Sequence, residues 1–265
     1  MEVVIIGAGN VANVLGKLIV KRGHKVTQVF SQHIMNAAQL ANQIDAVAID
    51  NLNEISLSAD IYIIAVVDNA IASVAASLHL SNQLLIHTSG TISKDVLKGS
   101  SINYGVLWPL QTLRKEITLQ PEIPFVVDGC TEEVKTAIIS FATQLSAIVI
   151  QADDDEKRKL HVAAVFASNF VNHLYALTEN YCEKENIDFQ LLVPLIIETA
   201  ERIKMYNPSE VQTGPASRGD SVTIDKQLHD LEKYPFLRRL YLILTNSIQE
   251  LTGNKNPHRK NRAGI

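Results

Sequence analysis

Two cysteines in 265 residues, Cys130 and Cys182, cannot make a disulfide framework, and neither stands in a Cys-x-x-Cys pair or beside a histidine cluster. Both are expected to be reduced and structural, and no metal site is expected. Long apolar runs are missing as well: none approaches the ~20 residues of a membrane-spanning helix. The first residues already read as a core strand, which leaves no room for a signal peptide, so a cytoplasmic protein without a membrane partner is expected. Nor is there an excess of positive charge. A formal net charge of -4 and a pI of about 6.1 give no basic surface for a phosphate backbone, so nucleic acid is not an expected partner. Apolar residues are plentiful: at 46% of the chain they can fill more than one core, and two domains are expected.

The opening stretch Val3-Val4-Ile5-Ile6-Gly7-Ala8-Gly9-Asn10-Val11-Ala12 is a doubly buried strand running into a Gly-x-Gly-x-x-Ala turn. Gly7 permits the tight turn, Gly9 lacks the Cβ that would hold a pyrophosphate away, and Ala12 lets the next helix pack close. That helix, from Asn10 to about Arg22, aims unsatisfied N–H groups at the phosphates. The pattern predicts a dinucleotide site. A second strand, Lys25 to Phe30, ends at Ser31-Gln32-His33, which offers hydrogen-bond donors and no carboxylate. An acidic residue there would bind the ribose of NAD; its absence favours NADP, although no Arg is present to grip a phosphate.

Further strands are expected at Ala46–Ile49, Ile61–Val67, Leu84–His87, Ile102–Val106, Phe125–Val127 and Ile148–Ile150, with helices at Met35–Gln43, Asn69–Leu78 and Glu132–Leu145. Ala65, Val66 and Val67 then lie beside the cofactor at the carboxyl end of their strand, Asp68 caps the helix that follows, and Thr88 and Ser89 contact ribose or ring, or simply form a turn. The loop Leu107 to Leu113, with Trp108, Gln111 and Thr112, forms a wall of a substrate pocket or packs on the domain edge. The alternation across residues 1–152 predicts a doubly wound parallel sheet of the Rossmann type.

From residue 153 the pattern is helical: Asp154 to Lys184, Phe189 to Met205, Ser221 to Lys233 and Arg238 to Leu251. The run Asp153 to Lys159 reads as a solvated helix start. The helix His161 to His173 is apolar nearly all round and should be central to its domain. At ~100° per residue, His161, Ser168 and Asn172 fall within roughly 40° of one another, with Asn169 and His173 in a second row. Such a polar stripe is either satisfied in the core or lines a cleft, where His161 and His173 are the groups able to exchange protons near neutral pH. Arg218, in the loop Gln212 to Asp220, is a candidate anchor for a substrate carboxylate or a cofactor phosphate, and Asp220 or Ser221 caps the next helix. The tail Asn254 to Ile265, rich in Lys and Arg, reads as a flexible end.

These segments resemble a family of bacterial Rossmann-like NADP oxidoreductases with a helical C-terminal domain of unknown function. Gly7–Ala12, Ala65–Asp68, His87–Gly90, Pro109–Thr112, Ala163–His173 and Gln212–Pro215 carry the likeness. More distantly the layout looks like pyrroline-5-carboxylate reductase, prephenate dehydrogenase and 6-phosphogluconate dehydrogenase. The resemblance implies a nucleotide domain at 1–152 and a helical substrate and dimerisation domain at 153–265, and hence a homodimer. It implies pyrophosphate binding by Gly7, Gly9, Asn10, Val11 and Ala12, and an adenosine ribose near Ser31, Gln32 and His33. Two departures bear on mechanism: Val165 stands where relatives place a catalytic Lys one turn before Asn169, and Trp108 where prephenate dehydrogenase has a His. We expect hydride transfer to or from a small, carboxylated ketone or imine. Asn169, His173 and His161 would be catalytic, and Gln111, Thr112, Asn172 and Arg218 would bind substrate. Two rivals are an NADP(H) sensor without activity and an NADP-dependent deazaflavin reductase.

Overall fold

A computed structural model describes residues 1–117 and 121–253; the basic tail lies outside the described residues. The chain forms two compact units, Met1–Val171 and Asn172–Ile265. The first is built on an eight-stranded sheet of order β3-β2-β1-β4-β5-β6-β7-β8, with β1 Glu2–Ile6, β2 Lys25–Phe30, β3 Val47–Ile49, β4 Ile61–Ile64, β5 Leu84–His87, β6 Asn103–Pro109, β7 Phe125–Gly129 and β8 Val149–Gln151. Its helices are α1 Asn10–Lys21, α2 Ile34–Ile44, α3 Asp68–Ala76, α4 Glu132–Leu145 and α5 Asp154–Ala164. β-Branched runs explain the central strands. Along β1, Val3 and Ile5 enter the core on one face of the sheet and Val4 and Ile6 the core on the other, all four with no exposed surface. A strand covered on both faces needs this composition.

The sheet departs from the expected all-parallel order at one strand: β7 pairs antiparallel with β6. For that pairing β6 continues three residues past the expected Val106, through Leu107, Trp108 and Pro109, before the chain turns. Asp68 is a second departure. The cap of α3 is Val67, with no side-chain hydrogen bond, because the Asp68 carboxylate accepts a hydrogen bond from the Thr91 hydroxyl at 2.5 Å.

At the start of α5, Asp153 and Glu156 form a reciprocal capping box. The charged run there is only partly solvated. Arg158 and Lys159 are exposed and pair with Asp155, whereas the Lys157 side chain is 1% exposed and pairs with Asp154 at 2.8 Å. On an amphipathic helix Lys157 is the position turned inward, one turn before His161.

After α5 the backbone winds into a π-helical turn, Val165–Phe170, and then into α6, Val171–Lys184. The expectation that this stretch is buried is overturned: Val162 is 58%, Phe166 64% and Phe170 50% exposed. Periodicity shows that a face is apolar, not which chain covers it.

The second unit comprises α6, α7 Val193–Arg202, the single turn α8 Pro215–Arg218, α9 Ser221–Asp230 and α10 Pro235–Leu251. Asp220 caps α9 by accepting from the Thr223 N–H at 3.0 Å. Among its described apolar residues only Cys182, Ala216, Ile224 and Leu231 are buried, while Leu191, Leu195, Ile203, Phe236 and Leu251 are exposed. No described helix is long and apolar enough to cross a membrane.

Candidate active site

The carboxyl ends of β1, β2 and β4 surround a cleft of about 480 Å³. Gly7, Ala8, Gly9, Asn10 and Val11 form one side, Ser31, Gln32 and His33 another, and Ala65, Val66 and Val67 a third. The glycines answer to different constraints. Gly7 has φ +130°, and a Cβ there would lie 2.2 Å from the Ala65 carbonyl oxygen. Around Gly9 a Cβ would meet nothing within 4 Å, so nothing in the chain itself forbids a side chain facing this space. A cradle that only an incoming group would fill suits a pyrophosphate. Gly9 is also the N-cap of α1, without a side-chain cap and without an acidic residue in the first turn, which leaves N–H groups and the positive helix end for an anion. Buried Asn13 fixes the turn by donating to the carbonyls of Ala8 and Gly9, both at 2.9 Å. Sequence reading passed over Asn13, although a polar residue on the apolar face of a helix is the signal that could have found it.

The same cleft also takes in Phe30, Ala70 and Val74, and its lining holds no carboxylate. At the end of β2 the Ser31 hydroxyl accepts from the His33 N–H at 3.3 Å. Three of the expected cofactor residues are not on its wall. Ala12 is fully buried beneath the turn. Thr88 and Ser89 are buried, the first with its hydroxyl on the Ile64 carbonyl, the second accepting from the N–H groups of Thr91 and Ile92.

A second cleft, of about 470 Å³, opens where β6 ends. Trp108, Leu110, Gln111 and Thr112 form one wall, and Leu160, His161, Ala164, Ser168 and Asn169 the other. The Trp108 ring lies flat against the chain: a Cβ on Gly90 would be 2.4 Å from it. Across the cleft it faces the His161 ring at a centroid distance of 5.8 Å. The hydroxyls of Thr112 and Ser168 are 3.1 Å apart, tying the β6–β7 connection to the π-helical turn. That turn also explains why His161, Ser168 and Asn169 line one space although a regular helix puts Asn169 in a separate row: i→i+5 bonding shifts the later residues out of the 100° register. Asn172, His173 and Arg218 belong to the second unit, where all three are exposed.

The end of β5 lies between the two clefts in the strand order. Two strand spacings, roughly 10 Å, separate the carboxyl ends of β4 and β6. Under this edge His87 is wholly buried; its Nδ1 accepts from the Ser89 N–H and its Nε2 faces the Ser93 carbonyl at 3.3 Å. Burial and, secondarily, the Lys157 charge push its pKa down to about 4. His87 is therefore neutral at pH 7. Ser93 also donates to Asp154 at 2.5 Å, and burial is outweighed at Asp154 by Lys157 and Ser93, which hold its carboxyl below the usual range. No group of three metal-ligating side chains occurs among the described residues.

An open, mostly parallel sheet with a glycine turn and a free helix end at its carboxyl edge, and a second cleft beyond the next strand, is the layout of a dinucleotide-dependent oxidoreductase. The comparisons give the particular family. Residues 2–90 match the family described as "NADP oxidoreductase coenzyme F420-dependent" and residues 123–248 the "Domain of unknown function (DUF2520)". The crystal structure of a "putative NADP oxidoreductase" from Bacteroides fragilis is 36% identical, with a TM-score of 0.86, covering 94% of this chain and 98% of that one. The chain belongs to this family of NADP oxidoreductase-like proteins, in which a Rossmann-like domain precedes DUF2520. A pyrroline-5-carboxylate reductase from Streptococcus pyogenes (14% identity, TM-score 0.65, 96% of this chain and 98% of that) shares the fold. So does an imine reductase from Myxococcus stipitatus in complex with NADP+ (15%, 0.62, 96% and 94%). No curated protein matches the sequence.

Proposed function

We propose that this protein moves a hydride between NADP(H) and a small ketone/alcohol or imine/amine pair, with the two clefts holding cofactor and substrate. The observation that carries the reading is their placement: both open on the carboxyl edge of one sheet, with a single strand end between them. Bound there, the cofactor supplies the hydride; the chain orients and protonates. Gly7, Gly9, Asn10 and Val11 receive the pyrophosphate and Ala12 lets α1 approach it. Ser31, Gln32 and His33 receive the adenosine ribose and its phosphate, and Ala65, Val66 and Val67 border the nucleotide. Thr88 and Ser89 hold the turn beneath it. The carboxylate-free lining supports NADP over NAD.

On the substrate side, Gln111, Thr112 and Asn169 offer hydrogen bonds, and His161, within the same cleft, is the candidate to give or take the proton. His173, Asn172 and Arg218, exposed in the second unit, remain candidate polar groups for catalysis and substrate binding. The family match to coenzyme F420-dependent enzymes covers only residues 2–90 and so lends nothing to a deazaflavin as the second substrate. We further propose a homodimer through the helical part, supported by its exposed apolar side chains and sparse core. Thermal-shift titration with NADPH and NADH tests the cofactor: NADPH is expected to stabilise at lower concentration. In NADPH-consumption assays, His161→Ala and Asn169→Ala should lower turnover by about 100-fold or more with cofactor affinity unchanged. Unchanged turnover would remove them from the site.

A further inference from the structure

The cleft beside Trp108 has an electrical character that a carboxylated substrate does not match. None of its described lining residues is Asp, Glu, Lys or Arg. Of the charges close in sequence, Arg114, Lys157 and Lys159 each face a carboxylate, and Lys115 lines a different cleft. Arg114, after the wall residue Thr112, pairs with Glu116, and Lys157, one turn before His161, is sealed from solvent and held by Asp154. Arg218, the anchor expected from the sequence, is not among the cleft's lining residues. What the cleft offers is the rim of the mostly buried Trp108 indole, the side chains of Leu110, Leu160 and Ala164, the His161 imidazole, and neutral hydrogen-bond groups at Gln111, Thr112, Ser168 and Asn169. Desolvating a carboxylate against such a wall is unfavourable unless a cation compensates it, whereas a carbonyl or imine needs one hydrogen bond.

We propose that this cleft selects uncharged substrates: ketones or imines with an apolar, ring-sized body seated against Leu110, Leu160 and Ala164 at the rim of Trp108, the C=O or C=N directed at the hydroxyls of Thr112 and Ser168. The inference rests on the oxidoreductase reading for its chemistry: a hydride from NADPH goes to the C=O or C=N carbon, leaving NADP+, and a proton given by His161 goes to the oxygen or nitrogen. Its selectivity rests on the cleft alone.

Two experiments separate the selectivity from the chemistry. In the first, the full chain saturated with NADP+ is titrated calorimetrically with benzamide and benzoate, which match in shape and differ in charge. Benzamide is expected to bind at least ten times more tightly, and Ala167→Arg, which places a guanidinium on the cleft wall, to reverse the order. Equal or tighter binding of benzoate to the unmodified chain, or no binding of either, overturns the proposal. In the second, NADPH consumption is followed with 2-methyl-1-pyrroline, cyclohexanone and 1-pyrroline-2-carboxylate. Preference for a neutral compound supports the proposal, and preference for the carboxylate overturns it while leaving the oxidoreductase reading intact. No consumption of any of the three, with benzamide still bound selectively, defeats the oxidoreductase reading and leaves the charge selectivity standing.

Discussion

Gly7 and Gly9 are two residues apart, and replacing each by alanine should separate folding from binding. Gly7→Ala must relieve both a left-handed φ and a contact of 2.2 Å with the Ala65 carbonyl, so it should destabilise by about 2 kcal/mol or more. Gly9→Ala has free space on the protein side; its melting temperature should stay within a degree or two while NADPH affinity falls at least tenfold. Melting curves with and without NADPH distinguish the two. His87 makes a pH-dependent prediction. Its folded pKa of about 4 lies below the 6.5 of the unfolded chain, so between these values the unfolded state binds the extra proton. The stability this group contributes is complete above pH 6.5 and lost as pH falls to about 4, an order of 3 kcal/mol. Urea denaturation from pH 7 to pH 4 should show that loss in the native chain and a shallower slope in His87→Gln.

At the level of elements, the start of α5 is where a substitution is most informative. Asp154→Ala leaves the buried Lys157 ammonium without its partner, and should cost about 3 kcal/mol, whereas the double variant Asp154→Ala with Lys157→Met should recover most of that loss. Chemical denaturation of both checks it. This ion pair also shows where sequence reading stops. Acidic and basic residues in one helical turn indicate a helix start, and the helix is there; which charge faces inward depends on what α5 packs against. α4 was legible to the residue, Glu132–Leu145, because Thr131 caps it by accepting from Val134 and apolar positions recur along one face. β1 and β5 were legible from their apolar runs, and β2 from the β-branched and aromatic residues Val26, Thr27, Val29 and Phe30. The extension of β6 through Trp108 and Pro109 was not, since proline reads as a loop until its strand partner is known. The π-helical turn left no mark either, because its extra residue arises from hydrogen-bond choice and not from composition. For the candidate site, the residues around the first cleft were grouped by local motifs, whereas the second cleft brings together Thr112 and Ser168 across 56 positions of sequence.

On the scale of the whole molecule, the helical unit carries a prediction about assembly. Among its described residues, four buried apolar side chains contrast with exposed Leu191, Leu195, Ile203 and Phe236, a balance that a domain stable alone does not show. Light scattering after size exclusion should give twice the chain mass, and the melting temperature should rise with protein concentration; a monomer at micromolar concentration refutes this. The reversed strand β7 has an evolutionary corollary. Had it run parallel to β6, the chain leaving Pro109 would have crossed to the opposite edge of the sheet through a helix whose packing constrains every residue. Running antiparallel, it keeps the stretch containing Leu110, Gln111 and Thr112 on the ligand-facing edge as a connection. Gln111 and Thr112 can change there without disturbing the core, into which Leu113 and Ile123 of the same connection are packed, so a lineage could acquire new substrates by altering these positions while the rest of the sheet stays fixed.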